Sequence, residues 1–159
     1  SAGALAFGVA ANVKPGLFRA LVLRVPFLDV LGSMLDPDQP LTVLEYPEWG
    51  NPSESAAVRD YIASYDPVLN LPVAGATAQT AMPSVLVSCS LADQRIAAEG
   101  PLRYVEALRA LPKVARPPYA ILRWNETASH FGNGSDISSF REEALELAFL
   151  EQVVRGRQP

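Results

Sequence analysis

Ser84-Val85-Leu86-Val87-Ser88-Cys89, introduced by Pro83, is a short apolar run bounded by a helix breaker. A run of this length, rich in β-branched residues, is the pattern of a strand buried on both faces of a parallel sheet. Two other stretches repeat it. Phe18 to Val25 carries Leu21, Val22, Leu23 and Val25 before Pro26, and Tyr119-Ala120-Ile121-Leu122-Arg123-Trp124 follows Pro117-Pro118. Between and around them the spacing is helical. The order helix, strand, helix, excursion, helix, strand, helix, strand, helix predicts an α/β fold, with a mostly parallel sheet and helices on both faces.

The flanking segments carry the detail. Ala2 to Asn12 is small and apolar and predicts a tightly packed helix stopped by Lys14-Pro15-Gly16. Phe27 to Leu35 fits a short helix before the breaker Asp36-Pro37-Asp38-Gln39-Pro40. Leu41 to Pro52 reads as an irregular excursion, and Ser53 to Tyr65 returns to helical spacing with Val58, Tyr61 and Ile62 on one face. Asp66 to Met82 reads as a surface loop. Ala97 to Leu111 is helical, with a stripe of Leu102, Val105, Leu108 and Leu111. The last helix is expected near Ser139, where Ser139 and Glu142 fit a capping box, with Phe140, Ala144, Leu147, Leu150 and Val154 as its apolar stripe. Glu142, Glu143 and Glu146 then form its solvated face, and Trp49 and Trp124 read as core or pocket packing.

Composition narrows the function classes. The chain has 159 residues, of which 49% are hydrophobic and 19% charged, an ordinary globular balance. A formal charge of −4 with no Lys/Arg run argues against a nucleic-acid surface. No apolar run approaches the roughly 20 residues that span a bilayer. Cys89 is the single cysteine and His130 the single histidine, so an internal disulfide is impossible and no metal site is expected. Asn125-Glu126-Thr127 and Asn133-Gly134-Ser135 match the glycosylation acceptor triplet, which matters only in a secreted chain.

Reactive groups in parallel α/β folds sit at the C-terminal ends of strands. Ser1 stands immediately before the Ala/Gly-rich helix, Asp93 follows the strand ending near Cys89, and His130 follows the strand ending near Trp124. Serine, then acid, then histidine is the chain order of α/β hydrolases. A serine hydroxyl needs an imidazole to accept its proton, and the imidazole needs a carboxylate on its other nitrogen. The oxyanion needs donors, and the Ala2 N–H, at the positive end of the helix, is placed to be one. Each residue also has a plain structural reading: Ser1 as an N-cap, Asp93 as a turn residue, His130 as a hydrogen-bonded loop residue. Only the combination, in this order, favours catalysis.

Several stretches resemble one known family. Ser1-Ala2-Gly3-Ala4 resembles the second part of a Gly-x-Ser-Ala-Gly-Gly elbow, and Val25-Pro26-Phe27-Leu28-Asp29-Val30 resembles a Val-Pro-Phe-Val-Asp-Val segment. Met34-Leu35-Asp36-Pro37, Pro40-Leu41-Thr42-Val43, Glu48-Trp49-Gly50-Asn51-Pro52 and Ser64-Tyr65-Asp66-Pro67 are similar to further stretches of the same group. Leu91-Ala92-Asp93-Gln94-Arg95-Ile96 is similar to its Asp-x-Arg-Val loop, and Ala128-Ser129-His130-Phe131-Gly132 to its Gly-His-Gly loop. The group is the prolyl oligopeptidase family, closest to its oligopeptidase B branch.

The resemblance implies a partial α/β-hydrolase domain over residues 1–159, starting at the nucleophile elbow, with the N-terminal strands and a β-propeller expected upstream of Ser1. It implies a cofactor-independent serine peptidase of the cytoplasm, acting on oligopeptides through Ser1, Asp93 and His130 and an acyl-enzyme. Arg95 would contact a substrate carbonyl, Ile96 would wall the primary pocket, and Glu45 would supply an acidic position that favours cleavage after Lys or Arg. Pro47 stands at the second acidic position, Phe131 replaces a small residue, and Val73 to Ala81 is longer than usual for the family. These departures keep an esterase or acylaminoacyl-type hydrolase, and a non-catalytic scaffold, as alternatives. The piece alone is expected to have little activity.

Overall fold

Three strands, β1 (Ala20–Arg24), β2 (Ser84–Ser90) and β3 (Ala120–Asn125), lie side by side in that order, each pair parallel. The structure is a computed structural model that describes residues 1–72, 82–111, 118–132 and 136–156. Leu21 pairs with Val85, and Val85 with Ala120, so the three apolar runs stand in register. β2 is central, and every residue in it except Ser88 is buried. That explains why its sequence is almost uninterrupted in apolar character.

Six α-helices are described: α1 (Ala2–Val13), α2 (Val30–Leu35), α3 (Thr42–Trp49), α4 (Ala56–Tyr65), α5 (Glu99–Ala110) and α6 (Asp136–Arg155). Side chains alternate across a strand, so one sheet can seat two layers. Leu21, Leu23, Val85 and Val87 pack with Ala11 of α1 and with Tyr104, Val105 and Leu108 of α5. Leu86, between Val85 and Val87, points the other way, onto Phe149 and Val153 of α6. The small residues of α1 have a use here: a Cβ at Gly8 would come within 2.9 Å of Leu28 and 3.2 Å of Pro67.

A third apolar group, Leu5, Phe27, Val30, Met34 and Ile62, joins α1, α2 and α4 beside the sheet. Two carboxylates brace it. Asp29 caps α2 by accepting from Gly32 N at 3.1 Å and pairs with Arg103 of α5 at 2.6 Å. Asp66 is fully buried and accepts from the backbone N–H groups of Leu31, Val68 and Leu69, tying the end of α4 to the start of α2.

The sequence reading needs correction at three places. Leu41 to Pro52 is not irregular: α3 occupies most of it, with Pro47 inside the helix. Asp66, Pro67 and Met82 are buried rather than part of a surface loop; Val73 to Ala81 of that loop lies outside the described residues, as does the Asn133 triplet. The last helix begins at Asp136 and, of the stripe expected, seats Leu150 against the core but not Phe140, Leu147 or Val154. Phe140, Leu147 and Val154 are 68%, 66% and 63% exposed, whereas Phe149 and Val153 are buried. The reason is electrostatic as well as apolar. Glu142 and Glu146 turn inward to pair with Arg123 of β3 and Arg24 of β1, drawing Phe149 and Val153 onto the sheet with them.

Candidate active site

The loop after β2 is built around Asp93. Its Oδ1 accepts from the backbone N–H groups of Arg95 at 2.8 Å and Ile96 at 3.1 Å, a local turn that aspartate favours. The loop after β3 is organised by Asn125, whose Oδ1 collects the N–H groups of Thr127 and Ala128. It then turns back at Ser129–Gly132, closed by Gly132 N to Ser129 O at 3.0 Å. Gly132 has φ +93°, a conformation that glycine adopts without steric cost. Ser90, the last residue of β2, clamps the two loops: its hydroxyl donates to Ala128 O and accepts from Ala92 N at 3.2 Å.

These turns bring Asp93 and His130 together. His130 Nδ1 lies 2.9 Å and 3.1 Å from the two oxygens of Asp93. The Asp93 side chain is 1% exposed and that of His130 9%. A bond from Nδ1 to a carboxylate keeps the proton on that nitrogen and leaves the Nε2 lone pair free to accept one. Phe131 does not fill the site. It is 82% exposed, its ring edge-on to His130 at 5.2 Å, with the Arg95 guanidinium 5.4 Å over its face.

Ser1 stands at the N-cap of α1, yet its side chain makes no capping bond. Its carbonyl accepts from Ala4 N at 3.1 Å and Phe27 N at 3.2 Å, which ties the start of α1 to the segment after β1. Ala2 opens the helix, among the amides that have no partner within it. Ser1, His130, Ser129 and Phe131 line one cleft of about 400 Å³, together with Arg24, Arg123 and Trp124. Trp124 is 58% exposed, a cleft residue and not a core one. Val25, also on this cleft, has φ +40° directly before Pro26, a strained conformation for a β-branched residue. Cys89 shares the cleft, but burial, and then the Asp93 charge, push its thiol up, which disfavours the reactive thiolate.

Glu45, Arg95 and Ile96 meet in a second, smaller pocket with Phe27, Met34 and Thr42. Glu45 Oε2 accepts from Trp49 Nε1 at 3.0 Å, and Trp49 packs against Phe27 with ring centroids 5.4 Å apart. Arg95 of this pocket lies over the ring of Phe131, which lines the cleft. Among the described residues, no group of three or more His, Cys, Asp or Glu side chains is placed to hold a metal, and no helix is long and apolar enough to cross a membrane. Sequence reasoning missed Ser90, which nothing distinguishes from Ser88 until the loops are seen. It also missed the Trp49–Glu45 bond, whose i, i+4 spacing has meaning only once α3 is known to be a helix.

The family profile described as the prolyl oligopeptidase family matches residues 1–157. The chain belongs to the prolyl oligopeptidase family. Among its relatives in that family is a protein named dipeptidyl aminopeptidase BI from Pseudoxanthomonas mexicana, 37% identical over 94% of this chain and 20% of its own length. Another, named protease 2, from Moraxella lacunata, is 33% identical over 94% of the chain and 20% of its own length. The fold matches oligopeptidase B from Leishmania major with a TM-score of 0.84 and 31% identity, over 96% of this chain and 20% of that one. Oligopeptidase B from Trypanosoma brucei, solved with covalently bound antipain, gives a TM-score of 0.84 and 33% identity, over 98% and 21%. The chain thus spans about a fifth of the length of the family members it matches.

Proposed function

We propose that this chain carries the catalytic triad of a serine oligopeptidase, with Ser1 as nucleophile, His130 as general base and Asp93 as the acid that orients it. The observation that supports this most is the shielded His130–Asp93 pair, 2.9 Å apart, on a cleft that Ser1 also lines. In this reading Ser1 Oγ attacks the scissile carbonyl carbon while His130 Nε2 takes its proton. The Ala2 N–H donates to the oxyanion. Collapse expels the amine, which leaves with the proton from His130, and a water activated by the same imidazole then hydrolyses the acyl-enzyme. Asp93 stays ionised throughout and stabilises the imidazolium.

The substrate in this reading is an oligopeptide with a basic residue before the scissile bond, its side chain in the pocket of Glu45 and Ile96 and its backbone carbonyl facing Arg95. The working enzyme is a longer polypeptide whose upstream strands lie against the free edge of β1, with a propeller ahead of them, acting in the cytoplasm. Expressed at full length, it should cleave Lys- or Arg-containing peptide amides, and Ser1→Ala should lower kcat by about 10⁴-fold or more. Retention of wild-type turnover in that variant would sink the assignment. The relative named an aminopeptidase favours a second version, in which the cut is counted from a free substrate N-terminus. Blocking that terminus separates the two: an endopeptidase tolerates the block and an aminopeptidase does not.

A further inference from the structure

A serine hydrolase uses one imidazole nitrogen twice. His130 Nδ1 is held by Asp93 at 2.9 Å, so Nε2 is the nitrogen that takes the proton from Ser1 and then gives it to the leaving amine. That amine must come within about 3.2 Å of Nε2, and the Cα it carries lies one bond of about 1.5 Å further on. The residue after the scissile bond is thus anchored within about 5 Å of the imidazole. Its side chain falls on whatever lines the cleft beside His130.

What the cleft offers there is aromatic. Phe131 has its ring centroid 5.2 Å from that of His130 and is 82% exposed, and Trp124, on the same cleft, is 58% exposed. Both are held in place. Ser129 fixes the backbone on either side of Phe131: its Oγ accepts from Phe131 N at 3.3 Å and donates to Gly132 O at 3.0 Å. The Arg95 guanidinium, 5.4 Å from the ring centre, restrains the ring itself. Trp124 sits in β3, in register with Cys89 of the central strand. The charged side chains of the cleft are already partnered, Arg24 with Glu146 and Arg123 with Glu142. The surface left for recognition is ring carbon, in a cleft of about 400 Å³ that can take a substrate side chain.

From these placements we propose that Phe131 and Trp124 form the subsite for the residue that follows the scissile bond, and that this subsite selects a large apolar side chain. The inference rests on the Ser1–His130–Asp93 reading given above. It adds the leaving-group half of the substrate, which the pocket of Glu45 and Ile96 does not serve.

The test reads this half alone. The full-length enzyme is acylated with one arginine-ended peptide methyl ester, which keeps the acyl half constant, and the acyl-enzyme is offered amino acid amides in competition with water. The amine nitrogen attacks the acyl carbon, a C–N bond forms and the bond from that carbon to Ser1 Oγ breaks. The amine proton passes to His130 Nε2 and from there to Ser1 Oγ, so no further reactant is needed. The ratio of amide to acid product measures binding on the leaving-group side, and any change in the acylation rate cancels in it. Phenylalanine amide should be captured about tenfold better than alanine amide, and aspartic acid amide no better than alanine amide. Phe131→Ala should lower the Phe-to-Ala ratio about fivefold or more, and Phe131→Tyr, which keeps the ring, should retain most of it. A merely structural loss would slow acylation and leave the ratio unmoved. Equal capture of the Phe and Ala amides, or a preference for the Asp amide, in an enzyme whose Ser1 is labelled by a fluorophosphonate would overturn this inference alone. So would an unchanged ratio in Phe131→Ala. A full-length enzyme in which Ser1 takes no fluorophosphonate would overturn the triad reading and this inference with it. The wild-type order is decisive even if the variants do not fold.

Discussion

Tyr104 lies wholly inside the layer between α5 and the sheet, and among the described residues its hydroxyl has no hydrogen-bond partner. Burial pushes its phenol up to about 12. An orphaned buried hydroxyl costs its own desolvation, roughly 1–3 kcal/mol. Tyr104→Phe should therefore leave the urea midpoint unchanged or raise it, and a loss of more than about 1 kcal/mol would show that the hydroxyl is satisfied. Asp66 makes the complementary case. Burial is the largest influence on its carboxyl and raises its pKa above the ordinary 3.8, against the pull of the Leu31, Leu69 and Val68 N–H groups. A carboxyl raised in the folded state binds its proton more tightly there than in the unfolded chain. Its contribution to stability is therefore greatest at low pH and falls as pH rises through the folded value. The stability difference between wild type and Asp66→Ser should then shift in favour of wild type as pH is lowered from 7 towards the ordinary 3.8. A shift in favour of the variant would contradict the burial argument. Neither residue announces itself in the sequence: a tyrosine one residue off a leucine stripe and an aspartate before a proline look like surface until the packing is known.

At the scale of elements, what the sequence makes legible is periodicity. The three strands are readable because each is a short apolar run closed by proline or turn residues, and β2 is clearest because both its faces are covered. Side-chain chemistry that crosses between elements is not legible in this way. Pro47 suggests a broken segment, yet α3 continues through it. The inward face of α6 holds two glutamates that read as solvated until Arg24 and Arg123 on neighbouring strands are seen to meet them. The candidate site follows the same division. Asp93 and His130 are found by their place after strands, whereas Ser90, which binds their two loops to each other, depends on contacts 38 residues apart. Ser90→Ala removes a partner from Ala128 O and from Ala92 N. Its expected effect on the full-length enzyme is a fall in kcat of about tenfold with little change in KM, since Ser90 lies on the cleft of Ser1 and His130 and outside the pocket of Glu45. A rise in KM at constant kcat would place Ser90 in binding and not in the alignment of Asp93 and His130.

For the molecule as a whole, the sheet ends abruptly at β1. Val25 N donates to Ser88 O, so by alternation the N–H groups of Leu21 and Leu23 face β2, and those of Val22 and Arg24 face the free edge. An open edge is a template for another strand. Amide exchange should be faster at Val22 and Arg24 than at Leu21 and Leu23 in this chain alone, and should slow at both in a full-length polypeptide if upstream strands cover that edge. Equal, unchanged exchange at Val22 and Arg24 in the longer protein would argue that the edge stays open. At the C-terminal ends of the strands, Ser1 and His130 line one cleft and Asp93 pairs with His130, the basis of the proposed triad. The most direct measurement is reaction of the full-length enzyme with a fluorophosphonate, followed by peptide mapping, in wild type and in His130→Ala. One adduct per chain is expected, located on Ser1, with labelling reduced at least about 100-fold without the imidazole. An adduct on another serine, or labelling of Ser1 indifferent to the loss of His130, would contradict it.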